Sequence, residues 1–190
     1  MLLLPLLTLA LCAGAVENQE LKSGVFNPPR AAPDFSLRGS NGSEIKLSRY
    51  RGNVVALGFG YTFCPDVCPT TLVDLAQVRK KLGPAGKQFQ VVYVTVDPER
   101  DSAQRLRQYL AVFDPTFIGA TGTPEQLADV RKAYGILISK KTFEGSQSAY
   151  LVHHSSYVYL IDHEGKLRAM RPFGASIDDL VDDVAALLKR

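Results

Sequence analysis

Cys64 and Cys68 stand in the run Phe63-Cys64-Pro65-Asp66-Val67-Cys68-Pro69, and two adjacent histidines, His153 and His154, follow much later. Thiolates are soft ligands, nucleophiles and disulfide formers, so the pair alone admits metal, redox or purely structural chemistry. Two thiolates and one imidazole make a small, soft, incomplete donor set. Such a set suits copper, Cu(I) through the sulfurs and Cu(II) with more help from the ring. A structural zinc site wants four ligands, and no fourth is evident. In an extended segment neighbouring side chains project to opposite sides, so one of His153 and His154 faces the cysteines; residue types alone do not choose between them. The plain alternatives are a structural Cys64–Cys68 disulfide, histidines that fill core or surface, His163 exposed in a turn, and Met170 packed in a strand.

The elements that must position these groups follow from hydrophobic pattern. Val54 to Tyr61 is a continuous apolar run, as in a buried strand, and Thr70 to Leu82 carries apolar residues at helical spacing. The cysteines therefore lie where a strand hands over to a helix. A helix starting near Cys64 puts both sulfurs on one face, and its N-terminal N–H groups favour a thiolate. Ala32 to Leu37 and Glu44 to Leu47 read as a hairpin, and Phe89 to Val96 as a second buried strand. Ala103 to Phe113 reads as a helix with Asp101 or Ser102 as its cap, and Pro124 opens another that runs to Tyr134. Gly135 to Tyr150 is polar and irregular, a long loop or a β-arm. Ser156 to Ile161 and Lys166 to Arg171 form a hairpin, and Ser176 to Leu188 a closing helix. A βαβ half followed by a ββα half predicts an α/β chain with a thioredoxin-like fold, an N-terminal β-hairpin extension and an inserted loop before the histidines.

Three segments are expected. Residues 1–15 lack charge and are rich in Leu and Ala, as in a signal peptide or membrane-targeting segment, and Ala13-Gly14-Ala15 suits cleavage. Leu9-Ala10-Leu11-Cys12 resembles a lipoprotein box, although Leu11 stands where a small residue is wanted. Residues 16–31, ending in Asn27-Pro28-Pro29-Arg30, read as a linker, and residues 32–190 as the domain. Export follows, and exported cysteines tend to pair unless metal or reductant intervenes. The formal net charge of +3, with basic and acidic residues interspersed, argues against a nucleic-acid partner. Lys140-Lys141 reads as solvated surface.

Three motifs carry a family resemblance: Gly58 through Pro69, then Val94-Thr95-Val96-Asp97-Pro98-Glu99-Arg100-Asp101, then Tyr150-Leu151-Val152-His153-His154-Ser155. From about Ala32 onward the chain resembles the Sco/SenC family of copper-binding thioredoxin-fold proteins, which serve assembly of the copper A site of cytochrome c oxidase. The resemblance implies Cys64, Cys68 and His154 as metal ligands. His153 stands where the family usually has Asp, and Asp66 and Asp97 match acidic positions near the site; these three are supporting groups or alternative ligands. A metallochaperone is implied rather than an enzyme, delivering copper or keeping the acceptor's cysteines reduced. The implied partners are the copper A subunit of the oxidase and other periplasmic copper carriers or thiol reductases. The setting implied is the periplasmic side, soluble or membrane-anchored, rather than the mitochondrial intermembrane space. A thiol-disulfide oxidoreductase or a peroxiredoxin-like peroxidase would use the same cysteines, but neither needs His154. Cys-x-x-x-Cys is also one residue longer than the usual redox spacing.

Overall fold

The computed structural model describes residues 21–143 and 150–189. Cys12, residues 1–15 and the cleavage motif lie outside them. The centre of the molecule is β4 (Val54–Gly60), every residue of which is buried. Two crossovers lay β5 (Phe89–Thr95) and β6 (Ile118–Thr121) parallel to it in turn. On its other side β9 (Tyr157–Ile161) runs antiparallel to it, and β10 (Lys166–Pro172) runs antiparallel to β9. With β1 (Gly24–Ala31), β2 (Ser36–Gly39) and β3 (Glu44–Lys46) they form one eight-stranded sheet in the order β1-β10-β9-β4-β5-β6-β2-β3. This is the expected thioredoxin-like arrangement, with the β2–β3 hairpin added beyond β6.

Both faces of β4 are covered, which is why its sequence does not alternate. On one face α1 (Val67–Lys81) packs with α4 (Ile177–Leu188), while Phe59 points to the other. There it meets Tyr134 of α3 (Pro124–Tyr134) and Tyr159 of β9, with ring centroids 5.6 and 6.2 Å away. The fourth helix, α2 (Ala103–Ala111), seats Leu106 and Leu110 against Gly119 of β6. Local chemistry marks most helix ends. Ser102, Thr123 and Ser176 cap α2, α3 and α4, and Gly135 closes α3 at φ 67°.

Two expectations change. The 16–31 segment is not a linker throughout: Leu21 is in the core, Lys22 and Ser23 donate to the Asp183 carboxylate, and residues 24–31 are β1, an edge strand on β10. Its prolines fit because they fall in a register shift between Val25 and Arg30, where ladder donors are not required. The second change is at α1, which starts at Val67 rather than near Cys64. Of the two readings of Gly135 to Tyr150, a long loop or a β-arm, the described residues show the arm. In this arm β7 (Ile138–Thr142) pairs with β8 (Tyr150–His154) outside the main sheet, and the two histidines end β8. Residues 144–149 lie outside the described set.

Candidate metal centre

The Asp66 side chain leaves the head of α1 uncapped. The Cys64 sulfur fills the gap, accepting a hydrogen bond from the Cys68 backbone N–H at 3.4 Å. One sulfur thus acts as a helix cap and the other sits in the first turn, so helix formation itself brings them together. Cys64 is half-buried, Cys68 is buried, and both are free thiols.

The third group arrives from the arm. His154 Nε2 lies 3.3 Å from Cys68 Sγ, while its Nδ1 lies 3.0 Å from the Ser155 carbonyl. A carbonyl only accepts, so Nδ1 carries the proton of the neutral ring and the Nε2 lone pair faces the sulfurs. One ligand atom each from Cys64, Cys68 and His154 falls within 4.8 Å of the others, and this is the metal-capable group among the described residues.

Asp97 is committed elsewhere. Buried at 3% exposure, it accepts from Arg100 Nε at 2.6 Å and from the Tyr150 hydroxyl at 2.7 Å. Arg100 also donates to the Tyr150 carbonyl and lays its guanidinium 3.6 Å from the centre of that ring. The acidic motif after β5 therefore holds the first residue of β8 and so fixes where His154 falls, a positioning role rather than a ligand's. Lys140, expected as solvated surface, pairs with Glu99 in this same anchor.

His153 and Asp66 stay outside the three-donor group, both exposed, although they line with Cys64 and His154 an open cavity of about 190 Å3. His163 and Met170 lie on the distant β9–β10 hairpin. Four further residues, not singled out for the site by residue type or spacing, shape it. The Tyr61 hydroxyl accepts from the Val152 N–H at 3.2 Å, and its ring meets His154 edge-on at 6.1 Å. Asp101, a cap candidate for α2 by sequence, is fully buried beneath the Cys64 turn, and Ser102 caps the helix instead. Gly60 and Tyr93 lie behind Cys68. The Gly58-Phe59-Gly60 alternation was the available signal for the last two, since glycines on one face of a buried strand mark a close approach.

The two thiols differ. A hydrogen bond from the Cys68 thiol pulls the Cys64 thiol down to about 4 against the opposing effect of burial, with help from the Asp66 and Cys68 N–H groups. Cys68 is pushed up, by its bond to the Cys64 sulfur and by burial. The apo pair is therefore a Cys64 thiolate holding a Cys68 thiol. Iodoacetamide is expected to alkylate Cys64 first, at a rate nearly flat from pH 8 down to about 5 and falling as pH approaches about 4. Equal labelling of both sites in a mass-spectrometric time course contradicts this.

The family model described as SCO1/SenC matches residues 26–189. A SCO2-like protein of Rickettsia conorii is 35% identical over 133 residues, 70% of this chain and 65% of that protein. This chain thus spans just under two thirds of that relative. Among solved structures, Arabidopsis thaliana ScoI with copper bound superposes with a TM-score of 0.76 at 33% identity, covering 84% of this chain and 99% of that one. Yeast Sco1 with copper bound gives 0.76 at 30% identity, covering 85% and 90%.

Proposed function

This chain belongs to the SCO1/SenC family, and on that footing we propose that it is an exported copper carrier acting on the periplasmic side of a membrane. Reduced Cys64 and Cys68, with His154, take up copper and present it by ligand exchange to the copper A site of cytochrome c oxidase. The supporting observation is the meeting of three soft donors from two separate elements within 4.8 Å. Two thiolates satisfy Cu(I), and the imidazole lets the same pocket hold Cu(II). Uptake displaces the Cys68 proton, so binding weakens as pH falls.

Titration of the reduced domain with Cu(I) and Cu(II), followed by absorption and electron paramagnetic resonance, tests the ligand set. His154→Ala is expected to lose the imidazole signature and bind Cu(II) at least about tenfold more weakly. His153→Ala is expected to match the parent. Equal strong binding by all three proteins removes the assignment. Mixing copper-loaded protein with the apo copper A domain then tests delivery, and a signal that stays on this protein argues against it. Recovery of the protein in the cytoplasmic fraction of its own cells would count against export.

A second reading rests on the half-exposed Cys64 thiolate, which suits attack on a disulfide. The metal-free protein would then keep the acceptor's cysteines reduced. Failure to reduce an oxidised copper A domain would eliminate it.

A further inference from the structure

Behind the three donors lies a group with no assigned task. Tyr93 of β5 pairs in register with Gly58, and Gly60 is the next residue of β4 on that face. The absence of side chains at Gly58 and Gly60 leaves a trough along β4, and the Tyr93 ring fills it. A Cβ at Gly58 would sit 3.5 Å from the ring, and one at Gly60 would sit 1.9 Å from the hydroxyl oxygen. That same Gly60 point is 2.7 Å from Cys68 Sγ. The trough therefore ends with the phenol hydroxyl beside the inner sulfur.

The hydroxyl is buried and finds no hydrogen-bond partner of ordinary geometry among the described residues. A buried O–H normally has one, and a persistent exception calls for a reason. The void shared by Cys68, Tyr93 and His154 amounts to about 20 Å3, room for a single water at most. The acceptor within reach is the Cys68 sulfur, a weak one as a thiol and a strong one as a thiolate.

We propose that Tyr93 is a positioning residue of the metal and redox site, its hydroxyl donating to Cys68 Sγ once copper has replaced the thiol proton. The bond favours the copper thiolate and, more weakly, the reduced pair over the Cys64–Cys68 disulfide, whose sulfurs are poor acceptors. The copper half of the inference rests on the function proposed above, whereas the disulfide half does not.

Tyr93→Phe keeps the ring and deletes only the hydroxyl. Cu(I) competition against a chromogenic chelator is expected to show about tenfold weaker binding, in the range seen when an outer partner of a metal ligand is removed. The Cu(II) thiolate charge-transfer band should move to longer wavelength, because an unbonded sulfur gives up electrons more readily. Metal-free protein is then equilibrated with dithiothreitol. The disulfide of the oxidised reagent breaks as the Cys64–Cys68 bond forms; two electrons and the Cys68 proton pass to the reagent, and its second proton comes from water. The variant should favour its disulfide by up to tenfold, about 30 mV for this two-electron couple. Thermal unfolding of the reduced apo protein should be unchanged or raised, which separates this role from a merely structural one. A variant equal to the parent in copper affinity, band position and thiol potential overturns the inference. A parent that binds no copper overturns instead the function on which the copper half depends, and the potential alone then decides.

Discussion

Cys68→Ala is expected to lower copper affinity by more than about a hundredfold, beyond the range for removing an outer partner of a metal ligand, because on the proposed function it removes a ligand itself. The loss is larger than the count of one donor implies. Cys68 donates the hydrogen bond that most depresses the Cys64 thiol, so its removal also returns Cys64 toward an ordinary thiol. His154 Nε2 loses its sulfur neighbour in the same step. Folding should survive, since the side chain is small and its backbone N–H still reaches Cys64 Sγ. The comparison that decides is Cu(I) competition with parent, Cys68→Ala and Cys64→Ala side by side. Parental affinity in either variant would mean that the sulfurs do not hold the metal.

The second large effect is on stability. Asp101 is fully buried and accepts three hydrogen bonds, from the Thr62 N–H at 3.0 Å, the Thr62 hydroxyl at 2.7 Å and the Thr95 hydroxyl at 2.7 Å. It ties the end of β5 to the turn that delivers Cys64. Asp101→Ala strands these donors in a site closed to water, at about 1–3 kcal/mol for each that finds no other partner. A total near 3 kcal/mol is expected, a large share of the roughly 5–15 kcal/mol that holds a domain together. Urea unfolding of the reduced apo protein measures it, and a change below about 0.5 kcal/mol would show that the network is not structural. Burial raises the Asp101 carboxyl above its ordinary value. The folded state therefore holds that proton more tightly than the unfolded one. Its contribution is fully present below the unfolded value and is lost as pH rises through the folded one. Asp101→Asn should remove this part of the pH slope while retaining some of the hydrogen bonds.

What the sequence made legible divides along physical lines. β4, β5 and the closing helix were readable because burial on both faces or along one stripe leaves a continuous or periodic apolar signal. β1 and β6 were not. β1 is exposed along nearly its whole length, carries two prolines, and exists as a strand because β10, far along the chain, supplies its partners. Its local composition is that of a linker, and only the remote pairing overrides it. β6 spans four residues, one of them glycine, too short for a period. At the site, the cysteine pair and the need for one histidine followed from chemistry, and strand alternation predicted that only one would turn inward. The choice of His154 came from the resemblance. The work of Asp97 was hidden because it depends on Tyr150, 53 residues away in sequence.

The separation of the donors along the chain has a further consequence. Cys64 and Cys68 are four residues apart, one capping the head of α1 and the other in its first turn, whereas His154 is 86 residues from Cys68 and rides on a strand pair outside the main sheet. The sulfurs form a rigid two-point bite; the ring is a third point on a lever. A cargo held this way is expected to come loose in order. The ring leaves first, because turning one side chain at the end of β8 leaves Tyr150 and Val152 in the core, whereas freeing the sulfurs opens the head of α1. An incoming ligand can then occupy the vacated position before either sulfur lets go. The metal would pass from carrier to acceptor through a shared complex, without an interval as a free ion.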